Sequence, residues 1–166
     1  IQQAMGVPKG RDPAVVQFIA NNDHMTVNEV LTMMNKQSGL MGISGLSSDM
    51  RDIEERREAG NGAAMLAFDV YIHRLRAYLG AYIAQLGGVD VISFTAGVGE
   101  NSPLVRAAAL ETLGFLGVRV DPTRNEERRR GIRVISTDDS AVTVLVVPTN
   151  EELEIARQTR TVTSAR

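Results

Sequence analysis

Along the chain, stretches with apolar residues every third or fourth position alternate with short apolar runs closed by glycine or proline. That alternation predicts an α/β domain, with helices packed on a mixed sheet. The clearest helical period spans residues 62–86, where Met65, Phe68, Ile72, Leu75, Leu79, Tyr82 and Leu86 form one apolar stripe. Gly87-Gly88 stops it, since a left-handed residue at a helix end is least strained without a side chain. Upstream, Val15, Val16, Phe18 and Ile19 predict a helix from Pro13. Thr26 and Glu29 stand at capping-box spacing ahead of Val30, Leu31, Met33 and Met34, which predicts a second. Residues 1–13 carry two prolines and two glycines and are expected to be irregular.

From Asn35 to Asp52, small turn-forming residues interrupt apolar pairs, so an ordered loop with a short strand at 40–43 is expected. Residues 54–58 predict an exposed helical turn ending near Gly60. After the long helix come a strand at 89–95, a glycine loop and a helix at 103–113 with Ser102 as N-cap and Pro103 in its first turn. A short strand at 118–120 follows, then a solvated loop of mixed charge at 121–131. Strands are expected at 132–136 and 141–147, the second apolar enough for a central sheet position. Thr149 is placed to open a terminal helix in the segment 150–166, with a period that continues to about residue 161.

Composition narrows the function classes. The 166 residues, 43% hydrophobic and 23% charged, fit one soluble globular domain. A net charge of −2 gives no electrostatic case for nucleic acid or for a membrane surface. No apolar run approaches the roughly 18–20 residues of a membrane span, and no signal peptide is visible. The absence of cysteine rules out disulfides and thiolate metal sites and fits a cytoplasmic location. With only His24 and His73 present, a zinc site or a serine–histidine triad has little to draw on. The chain starts at Ile1 rather than Met, which suggests a piece of a longer protein.

Three clusters carry candidate chemistry. In the first, Asp49-Met50-Arg51, the residues are either a helix cap followed by a surface arginine or an adenosine contact. In the second reading the Arg51 guanidinium stacks on a base and Asp49 bonds the ribose or base. The second cluster is Gly97-Val98-Gly99-Glu100-Asn101. It is either an ordinary tight turn between strand and helix, or a stretch whose backbone N–H groups face phosphates or ribose. It lacks the Gly-Lys-Ser/Thr of a Walker loop and the third glycine of a dinucleotide fingerprint. The third is Pro148-Thr-Asn-Glu-Glu152, with Thr149 and Glu152 at capping-box spacing. Glu151 is left as a first-turn carboxylate or a ligand for Mg²⁺, a hard ion commonly held by one or two carboxylates plus phosphates.

The stretches Asn35-Lys-x-Ser-Gly-x-x-Gly-x-Ser-Gly-x-Ser-Ser-Asp-x-Arg51, Phe94-Thr-Ala-Gly-Val-Gly-Glu-Asn101 and Val147-Pro-Thr-Asn-Glu-Glu152 together resemble the acetate kinases, in that family's order and spacing. The likeness runs from about Asp12 to near residue 160. It implies an actin-like, ribonuclease-H-like ATPase fold and Mg²⁺-assisted transfer of phosphate between ATP and acetate, forming acetyl phosphate. It also implies that Asp49, Met50, Arg51 and Gly97 to Asn101 bind ATP or ADP, that Glu151 binds magnesium, and that the protein is a homodimer.

Members of that family are markedly longer, and the resemblance identifies this chain with their carboxy-terminal half, the whole of 1–166 being one nucleotide-binding domain. The acetate or acetyl phosphate pocket would belong to the missing amino-terminal half. The family's Thr-Arg-Ser/Cys-Gly-Asp motif, whose arginine stabilises the transferring phosphoryl group, is replaced here by Val7-Pro8-Lys9-Gly10-Arg11. The expectation is therefore a lobe that holds nucleotide and is inactive alone. A propionate or other short-chain acyl kinase half shares these motifs. A non-catalytic nucleotide-binding or dimerisation remnant is the alternative of another class.

Overall fold

A computed structural model describes residues 13–149 and 151–164, without the side chains of Pro13, Glu151 and Glu152. The chain divides between Tyr71 and Ile72 into two compact units.

The first unit is helical among its described residues: α1 (Pro13–Asn22), α2 (Val27–Lys36), α3 (Leu40–Ser44), α4 (Met50–Glu58) and the start of α5 (Gly62–Leu86). Helix α2 begins as its spacing predicts. The Thr26 hydroxyl accepts from the Glu29 N–H at 3.3 Å, and the Glu29 carboxylate accepts from the Thr26 N–H at 2.7 Å. The strand expected at 40–43 is instead α3. Leu40 and Ile43 stand one helical turn apart, and Ser44 caps the turn by donating to the Leu40 carbonyl at 2.6 Å. A strand there would need a ladder partner, and this unit has none among its described residues. Helix α4 is longer than the turn expected at 54–58, because Asp49 caps it four residues earlier. Val30, Met50, Ile53, Ala64, Ala67 and Phe68 are buried, and the Arg57 guanidinium lies 4.8 Å from the Phe68 ring centre.

The second unit holds the sheet. Strand β1 (Val91–Phe94) is followed by α6 (Ala96–Asn101), α7 (Pro103–Leu110), a 3₁₀ turn (Glu111–Leu116), α8 (Pro122–Glu126), β2 (Arg133–Val134), β3 (Thr143–Val146) and α9 (Glu151–Ser164). The strand order is β1-β3-β2, so the most apolar strand is central, as its composition predicts. β1 runs parallel to β3, with Val91 opposite Thr143 and Phe94 opposite Val146, and β2 runs antiparallel. A mixed α/β sheet flanked by helices results. Ile92 and Phe94 of β1 and Val144 and Val146 of β3 turn inward onto Ala109, Leu110, Leu113, Val118, Ile135 and Val142. Each fully buried aliphatic side chain contributes about 1.5–3 kcal/mol.

Three expectations for this unit need correction. Leu75, Leu79 and Ile83 of α5 pack on the core, whereas Tyr82 and Leu86, predicted for the same stripe, are exposed, as is Met65 nearer the start of the helix. The predicted stripe drifts off the packed face because it ignores the small residues Ala64 and Ala67, which mark where the helix is buried near its start. Residues 121–131 are not wholly a loop. Asp121 accepts from the N–H groups of Thr123 and Arg124, Pro122 occupies the first turn, and α8 follows. The strand expected at 118–120 is reduced to one bridge, Val120 with Ser136. Gly87 and Gly88 do close α5: the Gly88 N–H reaches the Ile83 carbonyl at 3.1 Å and Gly87 has φ +73°. No described helix is long and apolar enough to cross a membrane.

Gly117 ends the 3₁₀ turn with φ +80°, and a Cβ there would meet the Ala141 Cβ at 2.6 Å. Strain and overlap would act together, so Gly117→Ala is expected to lower stability by about 2–4 kcal/mol. Urea denaturation checks this; a loss below about 0.5 kcal/mol, the scatter of surface substitutions, would refute it.

Candidate functional site

The glycine stretch between β1 and α7 is a helical turn rather than a loop. Thr95 is extended, Ala96 takes φ +60°, a conformation unusual for a side-chain-bearing residue, and the chain then winds into α6. The Asn101 side-chain amide donates to the Gly97 carbonyl at 2.8 Å, and Ser102 N–H closes the turn on Val98 O at 2.9 Å. These bonds make the stretch helical where glycine content alone suggests a loop. The two glycines differ in their surroundings. A Cβ on Gly99 would press against the Phe94 backbone at 3.4 Å, so Gly99 lets α6 sit on the end of β1. A Cβ on Gly97 would meet nothing within 4 Å, so its bare backbone faces open space. Ser102 then caps α7, accepting from the Val105 N–H at 2.9 Å, as expected.

Beneath α6 lies Arg106, with no exposed surface. Its Nη1 donates to the carbonyls of Gly99 (2.8 Å) and Glu100 (3.0 Å). Its Nε and Nη2 donate to the side-chain oxygen and the carbonyl of Asn125 at 2.8 and 2.6 Å. Asn125, itself buried, passes its amide on to the Pro103 carbonyl at 2.9 Å. Arg133, also buried, donates to the carbonyls of Glu127 and Glu100, the latter at 3.3 Å, while its Nε has no hydrogen-bond partner. Burial, and then the like charge of Arg133, lower the Arg106 pKa to about 10, which leaves it cationic at neutral pH.

Sequence reasoning missed Arg106, Asn125 and Arg133. One signal was available: Arg106 shares the helical phase of the buried Ala109 and Leu110, and a charge in a core phase requires partners.

The Glu100 carboxylate turns toward Thr149. Its Oε1 accepts from the Thr149 N–H at 2.8 Å and hydroxyl at 3.0 Å. The Thr149 backbone donor is the main reason its pKa is lowered, and the Thr149 hydroxyl, the Ala96 N–H and the Arg133 charge add to it. Two sequence clusters, Gly97 to Asn101 and the segment entering α9, thus meet in the second unit. The terminal helix is described from Glu151 to Ser164. The Glu151 side chain, Asn150 and the 7–11 stretch lie outside the described residues.

The Asp49–Arg51 cluster belongs to the first unit. Asp49 caps α4 by accepting from the Arg51 N–H at 2.9 Å, as the structural reading of that cluster holds. The same carboxylate grips the exposed Arg51 guanidinium through Nε (3.1 and 3.2 Å) and Nη2 (2.6 Å). Arg51 is 85% exposed, so the ion pair holds a flat cationic face out to solvent without covering it. The Met50 side chain is buried. His73 is exposed on α5, and His24 sits at φ +54° between α1 and α2.

The three-stranded mixed sheet with flanking helices agrees with the actin-like ATPase fold, which solved structures bear out. The structure of Porphyromonas gingivalis acetate kinase superposes with a TM-score of 0.81 at 43% identity, over 92% of this chain and 38% of that one. A propionate kinase from Francisella tularensis superposes with a TM-score of 0.77 at 34% identity, over 88% of this chain and 37% of that one. The acetate kinase of Pseudothermotoga lettingae is 53% identical over 158 residues, 94% of this chain. The Acetokinase family model matches residues 3–157, and the chain belongs to that family. It spans 38% of the length of the Pseudothermotoga relative.

Two measurements check these arrangements. Arg106→Met would strand the Gly99 carbonyl and the Asn125 oxygens and leave Glu100 O to Arg133 alone, and is expected to destabilise the chain by about 2–4 kcal/mol. Denaturant unfolding with an unchanged m-value reads this directly, and a neutral substitution would overturn the bonding described. The Asp49 pKa is held at about 2 against an ordinary 3.8, first by the Arg51 side-chain bonds and then by its backbone N–H. A carboxylate depressed in the folded state contributes stability above its unfolded pKa, and this is lost as pH falls through the folded value. An NMR titration should place the Asp49 midpoint near 2, and Arg51→Ala should move it back toward 3.8.

Proposed function

We propose that this chain is the carboxy-terminal, ATP- and Mg²⁺-binding half of a kinase that transfers phosphate between ATP and acetate. The observation that carries this reading is the joining of two motifs far apart in sequence, the glycine turn and the segment leading to Glu151, by the Glu100–Thr149 hydrogen bonds. The Gly97 backbone, open on its outer side, admits a phosphate or ribose where a side chain would obstruct it. Asn101 sets the geometry of that turn through the Gly97 carbonyl, and the Val98 carbonyl closes it on Ser102. Arg51, already oriented by Asp49, presents a planar cation suited to stacking on a base, and Met50 fixes the backbone between them.

Glu151 would hold Mg²⁺. Among the described residues no group of three or more His, Asp or Glu side chains forms a metal cage. A metal here would draw most of its ligands from phosphates and water, the manner in which Mg²⁺ is commonly bound. When bound, the ion neutralises charge on the transferring phosphates. Phosphoryl transfer is mainly positioning and charge neutralisation, and an arginine at the transferring group can be worth about 10³–10⁵ in rate. With the acyl pocket supplied by the remainder of the protein, this chain alone binds nucleotide without turnover. The same lobe would serve propionate, a reading supported by the superposition of a propionate kinase on it. A cytoplasmic homodimer is the expected setting.

Calorimetric titration of the folded chain with Mg-ADP tests the proposal. Saturable binding, weakened at least about tenfold in Glu151→Ala, is expected. No acetyl phosphate should form from ATP and acetate. A folded chain that fails to bind Mg-ADP would overturn the reading.

A further inference from the structure

Glu100 is the one member of the glycine turn whose chemistry conflicts with facing phosphate, because a carboxylate repels an anionic ligand. Its geometry gives it a different task. The backbone of Glu100 is anchored from below, its carbonyl accepting from Arg106 at 3.0 Å and from Arg133 at 3.3 Å, both buried cations. Its carboxylate projects the other way and takes both the N–H and the hydroxyl of Thr149, 49 positions along the chain and two residues before Glu151. Phe94, which carries α6 through its close contact with Gly99, also accepts the Val147 N–H at 2.8 Å, so the segment toward Thr149 leaves the sheet directly beside the turn.

We infer that Glu100 is a positioning residue, a latch that registers the entry of α9, and with it Glu151, against the glycine turn. Resting on the nucleotide–metal reading above, this assigns to Glu100 no contact with nucleotide or metal. It acts through Thr149. A hydrogen bond from a neutral donor to a carboxylate is roughly twice as strong as one between neutral partners, and here two donors share one oxygen. Loss of the latch leaves the glycine turn intact, because Arg106, Arg133 and Asn101 hold that turn independently. It frees only the segment on which Glu151 rides. Binding of the metal–nucleotide complex should therefore suffer, and binding of the bare nucleotide should not.

The test compares ADP affinity with and without Mg²⁺, by calorimetry, for the 166-residue chain and for Glu100→Ala, Glu100→Gln and Thr149→Val, each shown folded by circular dichroism. In Glu100→Ala the Mg-ADP affinity is expected to fall about tenfold, while affinity for metal-free ADP stays within about twofold. Glu100→Gln keeps an acceptor of the same length and should recover most of the loss. Thr149→Val keeps the backbone donor and should fall between. Amide exchange at Thr149 should accelerate in Glu100→Ala even without ligand. Equal losses with and without Mg²⁺, or an unchanged Mg-ADP affinity with accelerated exchange at Thr149, would overturn the positioning role while leaving the nucleotide site standing. Failure of the unsubstituted chain to bind Mg-ADP would overturn both.

Discussion

A guanidinium withdrawn entirely from water organises the second unit. Burying an isolated cation costs several kcal/mol, and a carboxylate partner would be the usual remedy. Arg106 is instead surrounded by carbonyl oxygens: those of Gly99 and Glu100 at the end of α6, and both oxygens of Asn125 in α8. The charge is satisfied only if two separate elements, α6 and α8, hold those oxygens in place around α7. The arrangement is therefore selective: small errors in the placement of α6 or α8 leave a desolvated charge unpaired, and alternative packings are penalised heavily.

Other features depend on that clamp. With its carbonyl end fixed, α6 can tolerate the left-handed Ala96 at its start, and the Gly97 backbone can remain uncovered. With Asn125 fixed, α8 holds the chain that returns as β2, whose Arg133 adds a second cation beneath the same carbonyl. Local strain and open backbone on one side are balanced by dense hydrogen bonding on the other. This division suits a site that must meet an anion with little rearrangement.

Much of this was legible in the sequence, for identifiable reasons. Caps are local, so Thr26 with Glu29, Ser102 with Pro103, and Gly87-Gly88 announce helix ends within a few residues. The apolar run around Val144 announces a strand at the centre of the sheet. The family-specific wording at 35–51, 94–101 and 147–152 carries the fold class. What escaped depends on long-range partners. Helix α3 reads as a strand because four residues cannot distinguish the two periods, and α8 stays hidden because mixed charge masks the Asp121-Pro122 start signal. In α5 the largest apolar residues were assumed to mark the packed face, whereas Ala64 and Ala67 show where the helix is buried. The Arg106 network joins residues 19 positions apart, and no local pattern encodes it.

The parallel pairing of β1 with β3 has a consequence for how the protein is made. Val91 lies opposite Thr143, so β1 emerges from the ribosome long before the strand that completes it. Through that interval Ile92 and Phe94 have no sheet to enter, and β1 offers an unpaired edge to any neighbouring chain. The helices that intervene, α7 among them, are too short to be stable from local contacts alone and shield those residues only in part. For this fold, vulnerability to aggregation is concentrated in one window of synthesis, which opens with β1 and closes when β3 arrives.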